Sequence, residues 1–259
     1  MTIAEPLRTG FLVTLNPLAK FGACLVVTAV LIVSIDPVSA AVALGLQAVA
    51  LLTCRIPMRP LMVRIAPILV AAPLAGLTTT LYGRTSGTVY VNWWAIEISS
   101  GSLQLGLATM LRVLAIGVPA VALFMTTDVT ELADALAQIA RLPARFVIGA
   151  LAGLRLVDLF AEDWRALTLA RRARGVGEPG SLRGFVGQAF TIFVLSLRRS
   201  AKLATAMEAR GFGSDHPRTW ARPSIFRARD WATLVIAALI ALVAAMVAIN
   251  VGAWNVLGS

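Results

Sequence analysis

Long apolar runs separated by arginine-rich connections constrain this chain more than any other feature. Residues 21–35, 38–54, 65–82, 103–125 and 231–251 are apolar throughout, and only Arg112 puts a charge inside one of them. Runs of this kind approach the roughly 20 residues that carry an α-helix across a bilayer. They are continuous rather than alternating, so a transmembrane β-barrel does not fit. Hydrophobic residues make up 58% of the chain, against about 45–50% in soluble domains. The fold class expected is an all-α polytopic membrane protein.

The net charge is +10. A nucleic-acid partner would be one explanation of such an excess. Here the arginines cluster beside the apolar runs, and the preference of basic loops for the cytoplasmic side accounts for them better. No nucleic-acid partner is therefore expected. The two lysines, Lys20 and Lys202, each follow alanine. A phosphate-binding loop of the G-K-[ST] type is thereby excluded, and ATP is not cradled here in that way. One histidine, His216, and two well-separated cysteines, Cys24 and Cys54, offer no metal or haem spacing. No cofactor and no metal is expected.

Along the chain, Asn16-Pro17-Leu18-Ala19-Lys20 precedes the first run, and Asp36-Pro37 turns the chain sharply into the second as a helical hairpin. Arg55, Arg59 and Arg64 surround Pro57 and Pro60 as a basic cytoplasmic connection. Pro67 and Pro73 bend the third span. Residues 83–102, with Tyr90, Trp93 and Trp94, read as an external loop carrying a short strand pair at the membrane interface. Most of the basic residues fall in 126–229. There, Thr127 or Asp128 caps a helix that runs to Ala140 and stops at Leu142-Pro143, and a second helix runs from Ala144 to Gly175. Gly175-Val176-Gly177-Glu178-Pro179-Gly180 is a glycine-rich break, and a third helix runs from Leu182 to Gly211. Residues 144–160 and 182–197 are apolar enough to suggest spans. Crossing would place Arg165, Arg171, Arg172 and Arg174 outside, and Arg155 and Asp158 at ~2.5–3.5 kcal/mol each within the bilayer. Both helices are therefore placed obliquely at the cytoplasmic face. The expectation is about five transmembrane helices plus two or three long cytoplasmic coupling helices in a crossed arrangement. By segment, 1–125 holds spans one to four, 126–229 the cytoplasmic helices and 230–259 the last span, with the N-terminus cytoplasmic.

Ala-Arg-Gly occurs at the end of both long basic helices, as Ala173-Arg174-Gly175 and Ala209-Arg210-Gly211. Glycine after the last helical residue permits the left-handed cap conformation. Arginine in the final turn suits the negative end of the helix dipole and can hold a carboxylate bidentately. Alanine keeps the flank thin. A single copy reads as a capped basic helix; two matched copies suit a partner with two matched sockets, engaged helix-in-groove.

The chain resembles the transmembrane T component of energy-coupling factor transporters, including the related permease subunits of cobalt, nickel and biotin systems. The resemblance covers nearly the whole length. It rests on Asn16-Pro17-Leu18-Ala19-Lys20, Asp36-Pro37, Arg112, Thr126-Thr127-Asp128, Leu142-Pro143 and the doubled Ala-Arg-Gly, the second preceded by Ala206-Met207-Glu208. The resemblance implies a bacterial cell membrane and two ABC-type ATPase subunits, docked through Arg174 and Arg210 with Ala173, Gly175, Ala209 and Gly211 shaping the helix ends. It also implies a substrate-binding S component, moved through apolar flanks such as Phe185, Phe190 and Phe193, and no catalysis by this chain. Arg112, a mid-membrane charge and so a functional-site candidate, reads as hydrogen-bonding helix ends inside the bundle and bracing the external loop, with Asp36, Asp158 and Glu162 as candidate partners. A conventional ABC permease lining its own path is the alternative, and two internal Ala-Arg-Gly copies argue against its single coupling loop. An intramembrane enzyme would need paired acids or His/Glu within the spans, and the runs carry none. A structural membrane scaffold remains as a third reading.

Overall fold

The structure is a computed structural model that describes residues 11–34, 36–54, 57–83, 88–93, 96–175, 182–214 and 219–252. A short 3-10 turn, Phe11–Thr14, leads into α1 (Pro17–Val33) and α2 (Pro37–Thr53). Then come α3 (Met58–Tyr82), the strands β1 (Val89–Trp93) and β2 (Ile96–Ser99), and α4 (Ser100–Phe124). The chain ends with α5 (Val129–Gln138), α6 (Ala144–Ala173), α7 (Leu182–Ala209) and α8 (Ala228–Asn250). It is an all-α membrane protein apart from the strand pair. Contacts divide it into two units, one holding Ala133–Ser224 and the other Pro6–Leu132 together with Ile225–Ser259.

The helix starts follow local rules. Pro17 and Pro37 occupy first helical positions, where the missing N–H removes no helical bond. Asn16 caps α1 by accepting the Leu18 N–H at 3.0 Å. Asp36 caps α2, accepting the Ser39 N–H at 2.6 Å and the Ser39 hydroxyl at 2.7 Å, with the Ser34 hydroxyl on the same carboxylate. Ser99 and Ser102 cap α4 reciprocally, each backbone N–H meeting the other's hydroxyl. Asp128 takes the cap position before α5, accepting the Thr130 N–H at 2.7 Å.

Among the described residues, three helices, α3, α4 and α8, have the length and low charge to cross a membrane, while α6 and α7 do not meet that test. The apolar α1 and α2 hold 17 residues each. That is about 26 Å of helix, at the short end of what spans a hydrocarbon core of about 30 Å. α3 starts at Met58, earlier than expected, so Arg59 and Arg64 lie inside its first turns and not in a loop. Pro60 is tolerated there because the first-turn N–H groups have no intrahelical acceptor. The helix continues unbroken through Pro67 and Pro73. β1 and β2 pair antiparallel, with Val91 opposite Ile98 and Trp93 opposite Ile96. Trp94, expected at the membrane interface, lies outside the described residues. So do 176–180 and His216.

In the bundle unit, α4 packs most extensively on α3 and then on α2, while α1 and α2 both pack on α8. α1 and α2, consecutive across a sharp turn, barely touch each other. Alanines dominate where α1, α2, α4 and α8 meet, with Ala43, Ala115 and Ala244 fully buried. In lipid there is little hydrophobic drive between helices, so small side chains that allow close backbone approach hold the bundle. The same device joins α3 to α4. A Cβ on Gly106 would fall 2.6 Å from the Gly76 carbonyl oxygen, and one on Gly76 would fall 2.8 Å from that of Gly106. Many large apolar side chains point outward, among them Leu25, Val63, Val70 and Leu239; a bilayer solvates such a surface where water does not.

In the other unit, α6 and α7 meet along 163–171 and 184–199. Gln188 donates to the Trp164 carbonyl at 3.1 Å and to the Thr168 hydroxyl at 2.6 Å. The Trp164 and Phe185 rings stack obliquely at 5.4 Å. Arg171 donates to the Gly184 carbonyl, and Arg199 pairs with Asp163 at 2.7 Å.

Candidate functional site

The two Ala-Arg-Gly copies adopt one backbone design. α6 ends at Ala173, Arg174 is its C-cap, and Gly175 follows with φ +70°. The Gly175 N–H returns to the Arg172 carbonyl at 3.1 Å. α7 ends at Ala209, and Gly211 has φ +80°. There the Gly211 N–H bonds the Glu208 carbonyl and the Phe212 N–H bonds the Met207 carbonyl, both at 2.9 Å. This pair of bonds is the Schellman closure, which ties up carbonyls that a helix end would otherwise leave unpaired. A Cβ on Gly175 would meet nothing within 4 Å, and one on Gly211 only the Ser214 hydroxyl at 3.5 Å. Glycine is therefore needed for its left-handed backbone and not for room.

All six residues of the two motifs are exposed. Neither Arg174 nor Arg210 has a side-chain hydrogen bond or ion pair with a described residue. Each offers a whole guanidinium fork at the negative end of a helix dipole. Arg145 reaches the loop after the second motif, donating to the Gly213 carbonyl at 2.7 Å. Gln138 holds the following linker, donating to the Arg222 carbonyl and accepting the Ser224 N–H, each at 2.8 Å.

The intramembrane polar residues are distributed differently. Asp36 is 1% exposed and its carboxylate is engaged by Ser34 and Ser39. Arg112, in α4, has a buried Nη2 with no hydrogen-bond partner among the described residues, and lies within electrostatic reach of Asp36. Asp158 and Glu162 lie in α6, in the other unit, both exposed. Cys24 and Cys54 are free thiols lining an apolar cavity of about 370 Å³ between α1, α2, α4 and α8, beside the buried Gln47.

One cluster was not singled out as a site by sequence. Lys20, the last residue of the stretch before the first apolar run, is 3% exposed. Its ammonium donates to the Thr126 carbonyl at 2.9 Å and to the Thr126 hydroxyl at 3.2 Å. Nearby, Asp230 accepts the backbone N–H of Asn16 and of Arg227, each at 2.7 Å. The available signal was one of only two lysines, placed four residues after a helix cap in a chain whose basic residues are nearly all arginine.

The fold is that of a multi-pass helical membrane protein in which two long helices end on matched, exposed arginine tips. Over residues 9–220 the chain matches the CbiQ family, described as cobalt transport protein. It is 24% identical over 240 residues to the energy-coupling factor transporter transmembrane protein EcfT of Limosilactobacillus fermentum, covering 88% of this chain and 90% of that one. The EcfT proteins of Bacillus selenitireducens and Exiguobacterium sibiricum are 27% and 28% identical. The first covers 90% of this chain and 91% of its own length, the second 74% and 77%. The chain belongs to the CbiQ family, as a transmembrane T component of the energy-coupling factor type.

Proposed function

We propose that this chain is the energy-coupling subunit of an ECF-type importer, gripped at its two Ala-Arg-Gly helix ends by two ABC-type ATPases. Arg174 and Arg210 enter acidic sockets, one on each ATPase, while Ala173, Gly175, Ala209 and Gly211 keep the helix ends narrow. The observation that carries this is the repetition of one exposed, glycine-closed, arginine-tipped helix end on α6 and α7. ATP hydrolysis belongs to the partners, since this chain has no G-K-[ST] loop. Closure of the ATPases displaces α6 and α7, and the exposed stripe Val186, Phe190, Phe193 and Leu197 passes that displacement to a substrate-binding S component. The S component selects the cargo, a vitamin or a transition metal. The site is a bacterial cell membrane with the N-terminus cytoplasmic, residues 126–229 forming the coupling region between spans in 1–125 and 230–259. Arg112 braces the bundle against Asp36.

The test is co-purification of both ATPases with Arg174→Glu, Arg210→Glu and the double variant. Loss of a bidentate, charge-assisted contact at each socket is expected to cost about 2–5 kcal/mol, a 30-fold or greater loss of affinity. The membrane yield stays unchanged because neither side chain has an internal partner among the described residues. A double variant that retains both ATPases at wild-type stoichiometry overturns the docking role.

A further inference from the structure

The chain leaves the bundle unit after Leu132 and re-enters it at Ile225. Both crossings lie within a few residues of one buried polar cluster at the start of α1. On the outgoing side, Lys20 donates to the carbonyl and hydroxyl of Thr126, six residues before the exit. Thr126 in turn donates its hydroxyl to the Leu123 carbonyl at 2.8 Å, at the end of α4. On the returning side, the Asn16 amide donates to the Ile225 carbonyl at 3.3 Å, and Asp230 joins the Asn16 and Arg227 N–H groups. Asn16, Lys20, Thr126 and Asp230 are each at most 9% exposed.

We propose that Asn16 to Lys20, with Thr126 and Asp230, is an anchor that fixes both chain connections of the coupling helices to the span bundle. Lys20 and Asp230 act as positioning residues in it. This rests on the coupling role proposed above, and it adds where the bundle resists the motion. Three physical reasons support it. Buried polar groups demand their partners, so the cluster has one well-satisfied geometry and little tolerance for others. It joins elements more than 100 residues apart, bringing the ends of α1, α4 and α8 to one point. A displacement carried along either connection must therefore strain charged, buried hydrogen bonds before it can dissipate as local unwinding.

The experiment uses the complete complex, this chain with its ATPases and S component, with Cys24 and Cys54 replaced by alanine. Spin labels at Leu169 and Ala206 report the two coupling helices. Labels at Leu169 and Leu242 report one coupling helix against the bundle. In the wild type both distances shift on ATP binding. With Lys20→Met the Leu169–Leu242 distribution broadens and loses its ATP-dependent shift, while the Leu169–Ala206 shift and ATPase co-purification persist; Lys20→Arg restores it. Thr126→Val and Asp230→Asn give the same signature and serve where Lys20→Met does not assemble. Wild-type distributions in all three variants overturn the anchor. A wild-type Leu169–Leu242 distance that ignores nucleotide overturns it too and leaves docking intact. Loss of the ATP response in the Leu169–Ala206 pair of the wild type overturns the coupling role instead.

Discussion

Gly106→Ala tests the α3–α4 contact most directly, because geometry sets its magnitude. The added Cβ would collide with the Thr80 hydroxyl and fall 2.6 Å from the Gly76 carbonyl oxygen. Thr80 can rotate away, at the loss of its 2.9 Å hydrogen bond to that carbonyl. The carbonyl is backbone and cannot, so α3 and α4 must separate locally by roughly 0.8 Å to restore an ordinary contact. Overpacking of this kind costs about 1–3 kcal/mol, and a lost hydrogen bond adds about 0.5–1.5. Replacing a helical glycine by alanine returns about 0.5–1 kcal/mol, leaving a net loss of about 0.5–4. At about 2–4 °C per kcal/mol, the melting temperature in detergent falls by roughly 1–16 °C. Gly45→Ala is the control, since its Cβ would meet nothing within 4 Å. It gains only the helix term and melts at or slightly above wild type. Thermal unfolding of the purified protein followed by tryptophan fluorescence reads both. Gly106→Ala melting as high as Gly45→Ala would refute the close-approach argument.

The remaining predictions concern the coupling helices. Gly211→Ala keeps its surroundings free of clash but forces an alanine to φ near +80°. At about 1–2 kcal/mol for a left-handed L-residue, ATPase affinity falls roughly 5- to 30-fold in a titration, and Gly211→Asn loses less. Equal affinity for Gly211→Ala and wild type would count against the cap. Gln188→Leu removes both hydrogen bonds that tie α7 to α6 at Trp164 and Thr168. A loss of about 1–2 kcal/mol is expected, read as roughly tenfold faster amide exchange in residues 182–190; unchanged exchange there would show that the stacked Trp164 and Phe185 rings suffice alone.

Much of the helix layout was legible because its causes are local. Asp36-Pro37 dictates the turn between the first two apolar runs through one carboxylate and one fixed φ. Val129 follows a capping Asp128 as its position before a polar-apolar helix requires, although α5 ends at Gln138, two residues earlier than Ala140. The starts of α6 at Ala144 and α7 at Leu182 fall where the proline and the glycine-rich break imply. The beginning of α3 was misplaced by treating Pro57, Pro60 and their arginines as a loop. Proline is a helix breaker only where its missing N–H and its ring have a preceding turn to disrupt.

The amino-acid order alone determined which segments are apolar helices and how α6 and α7 end. Hydrophobicity over a run and the backbone freedom of glycine at 175 and 211 act within a few residues of themselves. Only the tertiary structure decided which helix lies against which: α1 and α2 against α8 far more than against each other, and Gly76 against Gly106. It alone placed Lys20 in a buried bond with Thr126, 106 positions away. Those choices depend on surfaces that meet only after folding, and no periodicity in the chain encodes the distance between them.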